Sequence, residues 1–133
     1  MDSLLTRIAE QNINLVSLNS QQSLALWGFI AENFTESDNE KAYALLMCSE
    51  FEVQSNQTQN SIEHLQRALL LLSPPQDIDL VLQIYSSLSY RYTDIGEYQN
   101  ALDHLYSLSK LADRKSTRLN SSHSRASRMP SSA

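Results

Sequence analysis

The chain has 133 residues, of which 41% are hydrophobic, and a formal net charge of −5. Its single cysteine, Cys48, excludes an intrachain disulfide, and its apolar runs, such as residues 68–72, are far too short to cross a bilayer. No secretory signal follows Met1, so we expect one small domain in the cytoplasm.

The sequence predicts helices throughout, because alternation of apolar and polar residues is confined to short stretches. Asn19-Ser20 provides an N-cap, Ser37 and Glu40 form a capping box, and Asp77 caps a later helix. Pro74-Pro75 stops the helix before it. Six helices are expected at about 3–17, 21–34, 38–54, 58–72, 78–94 and 97–111.

The fifth and sixth predicted helices carry the pattern of a tightly packed helical hairpin. Large apolar residues recur at i, i+3 and i+7 within 85–92, which places them on one helical face. Ser89 and Ala101 are small enough to let the two backbones approach each other. Gly96 lies between the helices, where a residue with positive φ ends the first of them.

The third and fourth helices repeat this pattern forty residues earlier. The shift aligns Cys48 with Leu88, Ser49 with Ser89, Asn56 with Gly96, Ser61 with Ala101, Ile62 with Leu102, and Leu65 with Leu105. Asn56 can adopt the left-handed conformation that the turn needs. The earlier copy departs from the later one at Glu52, which stands where the later copy has Tyr92. The first two helices form a third, degenerate copy.

The residue types along the last hairpin follow a definite order. The first helix has a large residue, Leu, a small residue and Tyr, the turn has Gly, and the second helix has Tyr, Ala and a bulky apolar residue. This order resembles a tetratricopeptide (TPR) repeat. The resemblance implies an all-α fold in which antiparallel helical hairpins stack as a short TPR-like right-handed solenoid. Residues 1–112 would form this domain, with a degenerate hairpin at about 3–34 and repeats at 38–73 and 77–111. A plain six-helix bundle is the alternative.

The first helix of each pair lines the concave face of such a solenoid, so the resemblance implies a groove that binds protein or peptide. Its lining would be Tyr43, Leu46, Glu50, Gln54, Gln83, Ser86, Tyr90, Thr93 and Asp94. The surface is aromatic and acidic. It lacks the Lys, Arg and Asn with which repeats of this family hold a C-terminal carboxylate. Any one of these residues could instead be an ordinary solvent-facing helix position.

Residues 113–133 differ from the rest of the chain in having no aromatic residue and no helical apolar stripe. The blocks 113–123 and 127–133 resemble an in-frame translation of a sequencing adapter, with 124–126 where a barcode would lie. A natural Ser/Arg-rich tail is the alternative, and both interpretations predict disorder. The adapter interpretation also predicts that the natural sequence is cut at about Ala112.

Without this tail, residues 1–112 hold five Lys and Arg against fourteen Asp and Glu, a net charge of −9. No cluster of basic residues remains, so nucleic-acid binding is not expected. No catalytic grouping stands at a recognisable turn, and no Gly-rich phosphate loop occurs. The sequence therefore predicts that residues 1–112 are not an enzyme and use no cofactor. A missing C-terminal domain could still be catalytic.

Two acid-His-Leu units, Glu63-His64-Leu65 and Asp103-His104-Leu105, lie forty residues apart. A structural zinc site needs four ligands brought together, and these pairs are expected to face solvent on the second helices of successive repeats, so no metal site is predicted. Cys48 aligns with Leu88 and is expected to be a small buried hydrophobic residue.

The function expected from these patterns is protein binding. Asn19-Ser-Gln-Gln-Ser-Leu-Ala25 and the Tyr-rich last repeat resemble the repeat regions N-terminal to GGDEF-type diguanylate cyclase domains of bacterial signalling proteins, which implies a sensory or regulatory module. A free-standing adaptor and a helical self-association module are the alternatives. Leu102, Leu105, Tyr106 and Leu108 span more than one face of the last helix, which predicts an exposed apolar strip and homodimerisation through that helix.

Overall fold

A computed structural model describes residues 2–72 and 77–123 of the chain, and the side chains of residues 3–72 and 77–115. The helices are α1 (Asp2–Ala9), α2 (Ser20–Asn33), α3 (Asp38–Gln54), α4 (Thr58–Leu71), α5 (Ile78–Asp94) and α6 (Tyr98–His123), with a 3₁₀ turn at Leu15–Ser17. The described residues form no strand, which confirms the all-α prediction.

The predicted N-caps are present at three helices. Asn19 accepts a hydrogen bond from the backbone N–H of Gln22 at 2.8 Å, and the Gln22 side chain accepts one from the N–H of Asn19 at 3.0 Å. Asp77 accepts from the N–H of Leu80 at 3.1 Å. Ser37 accepts from the N–H of Glu40 at 3.2 Å, but the Glu40 carboxylate binds other groups, so only half of that capping box forms. Pro74-Pro75 lies outside the described residues.

The predicted first helix is too long, because α1 ends at Ala9 and not near Ser17. Asn12 adopts a φ of 60°, which takes the backbone out of the helix. Asn14 then accepts a hydrogen bond from the N–H of Val16 at 3.1 Å. Such a local side-chain bond competes with helical hydrogen bonding, and it turns the chain towards α2.

The turns between α3 and α4 and between α5 and α6 have the same hydrogen bonds, forty residues apart. Asn56 has a φ of 61° and Gly96 a φ of 79°, which confirms both as left-handed turn residues. The next residue in each turn donates its N–H to the carbonyl five positions earlier: Gln57 to Glu52 at 2.8 Å and Glu97 to Tyr92 at 2.9 Å. The sequence repeat is therefore also a repeat of backbone geometry.

From α2 to α6, each helix packs chiefly against its neighbours in the sequence. The small residues aligned by the repeat are all buried, with Ser49 and Ser61 fully inaccessible and Ser89 and Ala101 at most 5% exposed. Packing of helices in chain order, with small side chains at their contacts, is typical of helical repeat proteins.

The last helix extends beyond its predicted end near Leu111, because α6 continues to His123. Residues 113–123, which are predicted to be disordered, are therefore described as part of this helix, while residues 124–133 lie outside the described part of the chain. No glycine or proline interrupts residues 97–123, so nothing in the sequence ends the helix earlier. Lys115 also pairs with Asp79 of α5. Among the described helices, none has both the length and the apolar character needed to span a membrane.

Candidate protein-binding cleft

A cleft of about 650 Å³ lies between α3 and α5 and is bordered by one residue of α6. We call it the α3–α5 cleft. It is lined by Tyr43, Leu46, Met47, Glu50, Leu82, Gln83, Ser86, Ser87 and Leu108. Five of these nine residues belong to the predicted groove, namely Tyr43, Leu46, Glu50, Gln83 and Ser86. The lining is mainly apolar, and Glu50 is its one charged side chain.

The other four predicted residues lie towards the C-terminal ends of α3 and α5 and do not line the cleft. Gln54 accepts a hydrogen bond from the Ser20 hydroxyl of α2 at 2.5 Å. Thr93 donates to the Ser89 carbonyl at 2.8 Å, and Asp94 lies 3.3 Å from Nε of Arg91. Tyr90 is exposed. Three of the four therefore make contacts within the protein.

Four residues of the cleft were not predicted. Met47 and Leu82 are the sequence neighbours of Leu46 and Gln83, and Ser87 follows Ser86. A cleft between two helices contacts two adjacent rows of side chains on each helix, whereas the prediction followed one row. Leu108 belongs to α6, and no pattern in the sequence around it indicates that it borders a cleft between α3 and α5.

Tyr43 forms an aromatic wall of the cleft, and a contact with α2 holds it in place. The ring of Tyr43 packs edge-on against that of Trp27, with centroids 5.8 Å apart and planes at 76°. Trp27 is only 3% exposed, so Tyr43 rests on the core. Because edge-to-face aromatic pairs are favourable, this wall is formed before a ligand binds. Trp27 is also the only tryptophan in the chain, so its fluorescence reports on this wall.

A partly buried ion pair holds α1 against the junction of α2 and α3. Arg7 donates to the two carboxylate oxygens of Glu40 at 2.9 and 3.1 Å, and to the carbonyl of Phe34 at 3.0 Å. Glu40 also accepts from the N–H of Glu36 at 2.9 Å. The Arg7 hydrogen bonds hold the pKa of Glu40 below its ordinary value. The sequence patterns did not single out Arg7.

The two histidines of the acid-His-Leu units are half-buried, so the prediction that both face solvent is wrong for them. His64 of α4 donates from Nδ1 to the Glu52 carboxylate of α3 at 2.6 Å, although Glu63 is its neighbour in the sequence. His104 donates from Nδ1 to the carbonyl of Asn100 at 2.7 Å, and its ring packs on Tyr92. Each histidine therefore braces its own hairpin.

Among the described residues, no three His, Cys, Asp or Glu side chains come together as a metal site would require. Cys48 is 2% exposed, and burial raises the pKa of its thiol to about 12. This confirms Cys48 as a small buried hydrophobic residue whose thiolate is not populated at neutral pH.

The cleft offers apolar contact area from Leu46, Met47, Leu82 and Leu108, together with the carboxylate of Glu50 and the polar side chains of Gln83, Ser86 and Ser87. Such a mixture suits a peptide segment that buries an apolar side chain and presents a cation beside it. No family model, no curated protein and no solved structure matches this chain.

Proposed function

We propose that this chain is a TPR-like helical repeat module that binds another protein through the α3–α5 cleft. The matched turns at Asn56 and Gly96 and the packing of helices in chain order support a stacked repeat. The observation that carries the binding proposal is the cleft itself, which collects five of the nine predicted groove residues. Its volume of about 650 Å³ is large enough to hold several side chains of a partner.

The partner segment in this proposal is basic and apolar. Glu50 is the charged residue of the cleft, and residues 1–112 carry a net charge of −9. This charge attracts cationic segments and repels acidic ones. A Lys or Arg next to a large apolar residue would pair with Glu50 while the apolar side chain enters between Leu46 and Leu82.

Selection of peptides from a random display library on the immobilised chain tests this function. We expect enrichment of peptides that combine Lys or Arg with Leu, Met or an aromatic residue. A selected peptide should bind Glu50→Lys about tenfold more weakly than wild type, because the substitution replaces an attraction by a repulsion. Glu63→Lys is the matched control, since Glu63 is exposed on α4 and does not line the cleft.

The proposal fails if no basic-apolar peptide is enriched. It also fails if the enriched peptides bind Glu50→Lys and Glu63→Lys equally well, because the carboxylate of the cleft would then play no part.

The looser resemblance to repeats N-terminal to GGDEF-type cyclase domains extends the proposal to a cytoplasmic sensory or regulatory part of a bacterial signalling protein. A free-standing adaptor remains the second candidate. The nucleotide sequence that follows codon 112 in an overlapping clone distinguishes them: a cyclase domain supports the first, and a stop codon supports the second.

A further inference from the structure

The outer face of α6 exposes apolar residues whose counterparts in α4 are fully covered. Leu102 is 58% and Leu105 is 45% exposed, while Ile62 and Leu65, forty residues earlier, are at most 1% exposed. The difference arises because α5 packs on α4, whereas no later helix of the described chain packs on α6. The predicted apolar strip is thus confirmed for Leu102, Leu105 and Tyr106, while Leu108 is half-buried.

The exposed residues form a single stripe along α6. Tyr98, Leu102, Leu105 and Tyr106 stand at i, i+4, i+7 and i+8, which places them on one side of a helix. We call this set the α6 stripe. Both tyrosines are 64% exposed, so the stripe presents large side chains to solvent along much of its length.

Opposite charges border the stripe along one edge. Asp103 and Lys110 lie seven residues apart, and both are roughly 80–100° around the helix from Leu102. Nζ of Lys110 lies 5.2 Å from the centroid of the Tyr106 ring, which fixes the ammonium beside the stripe. Among the described side chains, neither Asp103 nor Lys110 forms an ion pair.

We infer that the α6 stripe is an interface between two copies of this chain, which pack their α6 helices antiparallel. In an antiparallel pair related by a twofold axis, the same edge of each helix faces the same edge of its partner. Asp103 of each copy then meets Lys110 of the other, and the twofold axis passes close to Tyr106. In a parallel pair, the edge that carries Asp103 and Lys110 would instead face the other edge of the partner's stripe. Neither residue would then meet an opposite charge on the partner.

The interface is small, so the association is weak. Four partly exposed side chains cover less than the roughly 800 Å² per partner of a standard interface. We therefore expect a dissociation constant in the micromolar range.

Sedimentation equilibrium of the full chain from about 1 to 100 µM tests the association. Wild type should dimerise, and Leu105→Gln should bind its own copy about tenfold more weakly. Leu70→Gln is the control, because Leu70 is 77% exposed on α4, away from the stripe. Asp103→Lys and Lys110→Asp should each weaken the dimer about tenfold, and the double variant should recover most of the wild-type affinity.

Disulfide trapping tests the orientation with a matched pair of variants. Tyr106→Cys lies at the twofold axis and should cross-link two copies under mild oxidation. Tyr98→Cys is equally exposed in the monomer, yet its two copies would be about 25 Å apart along the helix axes and should not cross-link. Cys48 does not interfere, because it is 2% exposed.

A wild-type chain that is monomeric at about 100 µM would overturn the inference. So would equal cross-linking of Tyr98→Cys and Tyr106→Cys, or a double charge reversal that stays as weak as either single one. Circular dichroism of every variant confirms that a loss of association is not a loss of fold.

Discussion

Nδ1 of His64 lies 2.6 Å from Oε1 of Glu52, which joins α4 to α3 through a carboxylate whose side chain is only 4% exposed. Forty residues later, the same positions hold His104 and Tyr92, whose ring centroids are 5.1 Å apart. The two hairpins therefore have the same backbone geometry, but different side-chain contacts hold their helices together. The first uses a polar pair, and the second uses two rings that pack at an interplanar angle of 32°.

Removing the His64 side chain should destabilise the protein. His64→Ala leaves the buried Glu52 carboxylate without its partner, and we expect a loss of about 1–3 kcal/mol in urea unfolding. Glu52→Ala alone should also be destabilising. The double variant should lose less than the sum of the two, because neither group is then left unpaired. Strictly additive losses would show that the two side chains do not interact.

The turn at Gly96 should accept asparagine but reject valine. Gly96 has a φ of 79°, and Asn56 adopts a φ of 61° at the equivalent position, so Gly96→Asn should change the free energy of unfolding little. Gly96→Val should cost about 1–3 kcal/mol, because a β-branched residue resists positive φ. A Cβ added at Gly96 would meet no atom within 4 Å, so the cost would come from the backbone and not from crowding. Equal stabilities of the two variants would contradict the assigned turn geometry.

The Arg7–Glu40 pair should make stability depend on pH in the acid range. The hydrogen bonds from Arg7 lower the pKa of Glu40 from its ordinary value of 4.5. A lowered pKa in the folded state means that ionised Glu40 stabilises the protein above about pH 4.5, and that this contribution is lost as the pH falls towards the folded-state pKa.

Glu40→Gln should therefore lower the Tm by a few degrees at pH 7, and the difference from wild type should shrink as the pH falls below about 4.5. Glu63→Gln, which changes an exposed carboxylate, should show neither effect. A difference between wild type and Glu40→Gln that stays constant with pH would mean that the Glu40 charge adds no stability.

Residues 113–133 should be dispensable for folding. Leu111 is 6% exposed and lies just before this segment, whereas Asp113 and Arg114 are exposed. The pair between Lys115 and Asp79 is solvent-exposed, and such pairs contribute about 0–1 kcal/mol. Deleting residues 113–133 should leave the thermal midpoint within a few degrees of the full chain. A larger loss would show that the segment packs on the domain.

The features that could be predicted from sequence are those set by residues within a few positions of each other. Ser37 and Asp77 cap helices because their side chains reach the N–H three residues later. Asn56 and Gly96 end helices because of their own backbone preferences. Asn12 has the same backbone preference as Asn56, but Ile8 and Leu15 on either side of it have helical spacing, which is why the sequence pattern predicts a longer first helix.

Contacts between distant positions could not be read from the chain. Arg7 meets Glu40 across 33 residues, and Ser20 meets Gln54 across 34. The second contact occupies the side chain of Gln54, which the sequence pattern predicts to line the groove. Five groove residues were found because they lie on one face of α3 or α5, but Leu108 enters the cleft only through the packing of α6.

Binding at the α3–α5 cleft is tested most directly by titrating the isotope-labelled chain with a selected basic-apolar peptide and following the backbone amide signals. We expect the largest shifts at Tyr43, Leu46, Leu82 and Gln83, together with a change in the fluorescence of Trp27, which packs against Tyr43. Shifts confined to α6, with no change in either the cleft amides or the tryptophan signal, would contradict the assignment of this cleft as the protein-binding surface.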